Sequence, residues 1–179
     1  SMKPYVKIAE TSTPEGEPLE LIEHDGTYMI CSRGEQLMTS FSHGSEETLA
    51  ELACSPFRPV NQPRILIGGL GMAYTLAAAT RALPGKRATF IVAELTSEIE
   101  TWNRTHLAHL NPGVLDDPRI RIKIQPVQKL LRQANGEYHA ILLDVDNGPS
   151  AFHGKNNDSL YSLNGLREIQ HALKGGGIL

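Results

Sequence analysis

A glycine-rich turn and a carboxylate one strand later are the residues of this chain best suited to chemistry. An apolar run enters the turn Gly68-Gly69-Leu70-Gly71-Met72-Ala73, and a second apolar run ends on Glu94. Glycines let the backbone approach a ligand closely, and a carboxylate so placed can accept hydrogen bonds from both ribose hydroxyls. The spacing predicts an adenosine-type ligand site, although such turns also occur as tight turns and Glu94 could instead support the helix start at Thr96 and Ser97.

A second pair of carboxylates follows the apolar run at residues 140–143. Asp144 stands at the mouth of that predicted strand, where partial desolvation raises a carboxyl pKa and suits it to accept a proton from an amine or hydroxyl. The alternative is a loop cap that binds the backbone amides of Asn147 and Gly148. Asp146 could share a negative pocket that attracts a cationic substrate, or could be solvated.

Other reaction classes find little support in the sequence. The cysteines, Cys31 and Cys54, form no CxxC pair and have no metal-ligand spacing. His106 and His109 are three residues apart on a predicted helix but lack an obvious third ligand, so we expect no metal. No serine stands in a nucleophile elbow. Trp102 has the helical spacing of a packing residue.

Length, composition and charge limit the number of domains and the classes of binding partner that this chain can have. The chain has 179 residues, of which 40% are hydrophobic, and a net charge of −3. One domain with a small appendage is expected, and the mixed charges argue against nucleic acid. The longest apolar run is interrupted by glycines, and no basic segment precedes an apolar one at the N-terminus. We therefore expect no membrane span, no signal peptide and a cytoplasmic protein.

The first region, residues 1–55, is predicted to hold short strands and a helix. Residues 1–18 are expected to be loose or an edge segment, and Asp25-Gly26 predicts a hairpin turn. Ser45 predicts the N-cap of a helix whose buried face carries Leu49, Leu52 and Ala53. The predicted strands cover residues 19–23, 27–32 and 36–39.

The second region, residues 64–179, follows a proline-rich linker and alternates strands with helices. This order predicts an α/β fold with a doubly wound, mostly parallel sheet, whose ligand lies at the carboxyl ends of the strands. Gly175-Gly176-Gly177 predicts a helix stop before a fifth strand that begins at Ile178, where the sequence ends and such a sheet normally continues. The predicted strands cover residues 65–68, 88–95, 119–125 and 139–145, and the predicted helices residues 72–83, 97–109, 127–134 and 158–174.

From about Leu19 onward, the sequence resembles the spermidine/spermine synthase family, whose aminopropyltransferases have the Rossmann-like fold of class I S-adenosylmethionine-dependent methyltransferases. The resemblance rests on the combination of motifs rather than on any one of them. Besides the glycine-rich turn and Glu94, these are Asp116-Asp117-Pro118-Arg119-Ile120, Ala140-Ile141-Leu142-Leu143-Asp144, Gly148-Pro149, Leu160-Tyr161-Ser162 and the block from Ala172 to Leu179.

The resemblance implies that a nucleoside donor, decarboxylated S-adenosylmethionine, transfers its aminopropyl group to a polyamine, without a metal. Asp144 matches the family's general base and Glu94 its ribose-binding acid. Gln36 matches a donor-contacting glutamine, and Gln125 and Val127 stand in place of the family's Gly-Asp turn that contacts adenine. Family members commonly form homodimers.

Two departures from the family bear on the substrates, the first on the donor and the second on the amine pocket. The turn reads Leu70-Gly71-Met72 where the family has an aspartate for the donor's ammonium, and the helix that begins near Ser45 lacks the family's Tyr and His. Without that aspartate, the carboxylate of S-adenosylmethionine is no longer excluded by charge. The sequence leaves two readings open, a transferase that uses either donor and a non-catalytic nucleoside-binding or dimerisation module. The incomplete GxGxxG pattern disfavours a nicotinamide dehydrogenase.

Overall fold

The computed structural model describes residues 3–143 and 162–178. The N-terminal region forms a four-stranded antiparallel sheet in the order β1-β2-β3-β4, followed by one helix, α1. The hairpin turn at Asp25-Gly26 is confirmed, with both residues at positive φ. The strands are Val6–Ser12 (β1), Pro18–His24 (β2), Thr27–Ser32 (β3) and Glu35–Thr39 (β4), and the helix is Gly44–Cys54 (α1).

The remainder of the described chain forms a parallel sheet in the order β7-β6-β5-β8-β9, with helices between successive strands. The predicted doubly wound α/β fold is thereby confirmed. Its strands are Arg64–Gly68 (β5), Thr89–Glu94 (β6), Ile120–Ile124 (β7), Tyr138–Leu143 (β8) and Leu173–Ile178 (β9). Its helices are Tyr74–Ala82 (α2), Ser97–Arg104 (α3), Val127–Gln133 (α4) and Leu163–Ala172 (α5).

Alternation along the central strands explains the two layers of helices. Side chains of successive strand residues point to opposite faces, so Ile65 and Ile67 pack in one apolar cluster with residues of α2 and α3. Leu66 and Ile91 pack in a second cluster with α4 and α5. The first cluster also contains buried residues of the antiparallel sheet, so a continuous core joins the two sheets.

The buried face of α1 differs from the prediction. Ala50, Ala53 and Cys54 are buried, whereas Leu49 and Leu52 are 64% and 66% exposed. Small side chains let α1 approach α2 closely, and this contact decides which face turns inward. The predicted N-cap was also wrong, because His43 precedes the first helical residue and makes no side-chain cap bond.

Several element boundaries differ from the predictions, and the larger differences lie at the end of α3 and at the junction of α5 with β9. Helix α3 ends at Arg104 rather than at residue 109, and turns follow it. The glycines at 175–177 do not stop a helix, because α5 ends at Ala172 and β9 begins at Leu173. A strand backbone tolerates glycine, and the β8–β9 register shifts between Tyr138 and Ala140. No helix among the described residues has the length and apolar character that a membrane crossing requires.

Candidate functional site at the carboxyl end of the parallel sheet

The glycine turn and Glu94 meet because β5 and β6 are neighbours. The two strands pair in parallel, with Gly68 opposite Ala93, so the turn and Glu94 emerge at the same edge of the sheet. The amide of Gly69 donates to the carbonyl oxygen of Ala93 at 2.8 Å. This is the edge at which parallel α/β sheets bind ligands.

The turn itself requires residues that tolerate left-handed backbone. Gly69 and Gly71 have φ values of 98° and 54°, and Ala73, which precedes α2, has a φ of 70°. At Gly71 a side chain would also collide with β4, because an added Cβ would lie 2.9 Å from Cε of Met38. The glycine is therefore needed for its left-handed backbone conformation, whereas the flexible end of the Met38 side chain can shift to admit a Cβ.

Glu94 is 5% exposed, and its carboxylate accepts hydrogen bonds from the backbone on both sides of the site. Oε1 accepts from the Leu70 amide at 3.0 Å, and Oε2 accepts from the Thr96 amide at 2.9 Å. Burial raises the pKa of Glu94, while nearby backbone amides, Thr96 first and then Leu70, act in the opposite direction. The side chain thus shapes the turn, and its contact with a ribose stays a prediction.

Other predicted ligand residues have packing roles that the sequence did not indicate. An added Cβ at Gly68 would lie 3.1 Å from Leu143 and 3.3 Å from Val127, so this glycine makes room for β8 and α4. Val127 is 5% exposed within the second core cluster. Gln125 is half-buried, and Gln36 is exposed on β4. Their contacts with a ligand remain predictions.

Asp144 and Asp146 lie outside the described residues. The preceding strand, β8, pairs in parallel with β5 and places Leu143 opposite Gly68. Strand β8 therefore ends at the same edge of the sheet as the glycine turn. The roles of Asp144 as base and of Asp146 toward a substrate stay predictions.

Beside the turn lies an aromatic and acidic cluster, which we define as His43, Glu46, Glu47 and Tyr74. The rings of His43 and Tyr74 stack with centroids 3.8 Å apart at an interplanar angle of 4°, and Nδ1 of His43 contacts Oε1 of Glu47. Burial, followed by the charges of Glu47 and Glu46, raises the pKa of the Tyr74 hydroxyl. Glu46 and Tyr74 line a small cavity that also includes Leu70.

This cluster is not evident from the sequence, because its members come from different segments. Helix α1 contains neither Tyr nor His, whereas His43 precedes α1 and Tyr74 begins α2. The contact between α1 and α2 brings them together. It also places the Glu46 carboxylate beside a turn whose own sequence contains no acid.

A metal site is not seen in the part of the chain that the structure describes, where no three His, Cys, Asp or Glu side chains come together. The pair His106 and His109 is not joined by a third ligand there. The ring of His109 instead contacts Tyr28 of the antiparallel sheet, with centroids 5.1 Å apart. Trp102 is 4% exposed in the first core cluster, so its predicted packing role is confirmed.

Comparison with solved structures identifies proteins of the same fold. A spermidine synthase in complex with the transition state analogue AdoDATO matches with a TM-score of 0.71 and 19% identity, over 94% of this chain and 53% of its own. Spermidine synthase from Thermotoga maritima gives 0.72 and 20%, over 94% and 54%. A probable spermidine synthase from Corynebacterium glutamicum gives 0.65 and 16%, over 94% and 61%.

The chain thus spans between half and two thirds of the length of these three proteins. No protein-family model and no curated protein matches the sequence. The resemblance stated from the motifs is confirmed at the level of the fold. The chain has the fold of the spermidine synthases, with an antiparallel N-terminal sheet joined to a Rossmann-like parallel sheet.

Proposed function

We propose that this chain is the nucleoside-binding part of an aminopropyltransferase-like transferase. The observation that carries the proposal is the position of the glycine turn and Glu94, together at the carboxyl edge of a sheet with the spermidine synthase fold. The donor substrate is decarboxylated S-adenosylmethionine or S-adenosylmethionine. We also propose that the protein forms a homodimer, as members of the resembled family commonly do, and that it acts in the cytoplasm.

The reaction is an in-line displacement at the carbon next to the donor's sulfonium. The lone pair of an amine nitrogen forms the new C–N bond, the C–S bond breaks, and methylthioadenosine leaves with that electron pair on sulfur. The amine loses a proton, for which we propose Asp144 as acceptor. Since the sulfonium supplies the leaving group, the protein contributes mainly alignment and proton removal.

The aromatic and acidic cluster favours the binding of a cationic part of the substrate beside the turn. Glu46 lines the same cavity as Leu70 and Tyr74, and the charges of Glu46 and Glu47 act on the Tyr74 hydroxyl. Carboxylates near an aromatic ring attract ammonium groups. The loss of the family's aspartate from the turn is therefore offset in charge by α1, which favours a donor or acceptor that carries an ammonium group.

Calorimetric titration with three nucleosides tests the proposal. Methylthioadenosine, S-adenosylmethionine and decarboxylated S-adenosylmethionine are each added to the wild-type chain. Binding of the decarboxylated donor, with release of methylthioadenosine when putrescine is present, supports an aminopropyltransferase. Binding of the carboxylated donor alone supports a methyltransferase-like enzyme. Absence of binding by all three contradicts the proposal and leaves the non-catalytic module, a reading consistent with the burial of Glu94.

Two variants separate the roles within the site. Asp144→Asn should abolish turnover and leave donor affinity nearly unchanged, because the variant keeps the shape and loses the base. Glu46→Gln should weaken decarboxylated S-adenosylmethionine more than methylthioadenosine, which lacks the ammonium group. Equal weakening of both nucleosides would contradict the cationic role of Glu46. Glu98→Gln, at an exposed position on α3, is the matched control.

A further inference from the structure

The glycine turn is tied to α3 by the side chain of Asn103. This residue is 6% exposed, and its Nδ2 donates to the carbonyl oxygens of Gly71 at 2.7 Å and Ile99 at 2.8 Å. An amide nitrogen carries two hydrogens, so these two acceptors use its full donor capacity. Because both partners are carbonyl oxygens, they also fix which end of the amide is the nitrogen. One bond stays within α3, and the other crosses to the turn.

A second asparagine holds the adjacent carbonyl. Nδ2 of Asn111, in the turns that follow α3, donates to the carbonyl oxygen of Met72 at 2.9 Å. Two consecutive carbonyls of the turn are thus held from the segment that follows β6. The amide of Ala73 in turn donates to the carbonyl oxygen of Leu70 at 2.8 Å, which closes the turn before α2.

These bonds determine how the peptide units of the turn are oriented. The peptides are trans, and in a planar trans peptide the N–H points opposite to the C=O. Holding the Gly71 carbonyl toward Asn103 therefore directs the Met72 N–H away from α3. Glycine permits either orientation of its peptide at low cost, so the sequence of the turn alone does not select this one. The amide side chain of Asn103 does.

We propose that Asn103 is a positioning residue for the nucleoside site, which it supports by fixing the Gly71–Met72 peptide. The inference rests on the proposed function for the identity of the ligand. Glu94 holds the turn through the Leu70 amide, and Asn103 holds it through the Gly71 carbonyl, so the turn is held both at a donor and at an acceptor. A turn held in one shape binds its ligand without first becoming ordered.

Amide hydrogen exchange of the ligand-free protein tests the tether directly. In Asn103→Ala, the amides of Leu70 and Ala73 should exchange about tenfold faster, as expected when a buried hydrogen bond is removed. Thr105→Val is the matched control, since it removes a local side-chain hydrogen bond, from Thr105 to the carbonyl oxygen of Thr101, that does not reach the turn. Unchanged exchange in Asn103→Ala, or an equal change in the control, would overturn the tether.

Affinity for methylthioadenosine tests the link to binding. Asn103→Ala should raise its dissociation constant about tenfold, whereas Ile169→Val, a mild core truncation in the second cluster, should leave it unchanged. Equal weakening in both variants would reduce the role of Asn103 to general stability and overturn the proposal. If the wild-type chain binds no nucleoside, the proposed function fails and the positioning role fails with it, while the exchange experiment still decides whether Asn103 fixes the turn.

Discussion

Replacing Glu94 with glutamine tests whether this carboxylate is as buried as the structure indicates. The variant keeps the shape of the side chain but removes its charge. In the wild type, the two oxygens accept from the amides of Leu70 and Thr96 at 3.0 and 2.9 Å. In Glu94→Gln, the NH2 group cannot accept, so one amide loses its partner at a cost of about 1–3 kcal/mol.

The charge of Glu94 has an opposing effect that depends on pH. Burial raises the pKa of Glu94 in the folded chain above its usual value of 4.5. Below that value Glu94 is protonated in both states, and its acid group resembles the glutamine amide in having one acceptor and one donor end. As pH rises from about 4.5 to the raised pKa of the folded chain, the wild type loses stability relative to Glu94→Gln, by about 1.4 kcal/mol for each pH unit, and the loss is complete above that pKa.

Urea unfolding between pH 4 and pH 8 measures this difference. We expect the free energy of unfolding of Glu94→Gln, minus that of the wild type, to increase with pH. Glu98→Gln, at an exposed position on α3, is the control. A difference that stays flat, or that decreases with pH, would refute the reasoning, because hydrogen bonds to the charged form would then outweigh its desolvation.

Three further predictions concern other parts of the fold. Arg119→Ala should lower the free energy of unfolding by about 2–3 kcal/mol in chemical denaturation, since the guanidinium binds both oxygens of Asp117 and the carbonyl of Gly85. The hydrogen bond from Arg119 lowers the pKa of Asp117. The stability that the Asp117 charge provides is therefore complete above its unfolded pKa near 3.8 and is lost as pH falls through the lower folded pKa. The free energies of unfolding of Asp117→Asn and the wild type should accordingly converge in acid. Gly71→Ala should lower the free energy of unfolding by about 1–2 kcal/mol in thermal unfolding, because φ is 54° at this position. Adding Met38→Ala to Gly71→Ala should relieve only the contact between the new Cβ and the Met38 side chain, so the cost of the positive φ remains. Failure of any of these differences to appear would contradict the contacts named.

The parallel sheet was predictable because its signals are local. Apolar runs, glycine turns and helical periodicity lie within single segments, and each indicates an element without knowledge of its neighbours. The face of α1 was not predictable in this way. Leu49 and Leu52 are the larger apolar residues, but Ala50 and Ala53 are buried, because the distance between α1 and α2 decides which side chains fit.

Some parts of the candidate site are likewise predictable from the sequence, and others are not. The sequence indicates that Glu94 ends β6 beside the glycine turn, since strand order alone brings them together. It does not reveal the stacking of His43 on Tyr74 or the bond from Asn103 to Gly71, because these depend on how helices pack over the sheet. The parts of the site formed by packing across segments required the structure.

Glu94 can serve both the turn and a ribose only if its acceptor capacity is shared. A carboxylate offers about four lone-pair positions, and the amides of Leu70 and Thr96 use one on each oxygen. The amides of Leu95 and Gly71 also lower the pKa of Glu94, so they approach the remaining positions. A ribose hydroxyl that binds Glu94 must therefore compete with one of these weaker contacts. The Gly71 amide is the costlier one to displace, because the carbonyl oxygen of the same peptide, that of Leu70, accepts from the Ala73 amide at 2.8 Å. Nucleoside binding should accordingly change the hydrogen-exchange rate of the Leu95 amide more than that of the Gly71 amide. A larger change at Gly71 would indicate that the turn opens to admit the ligand.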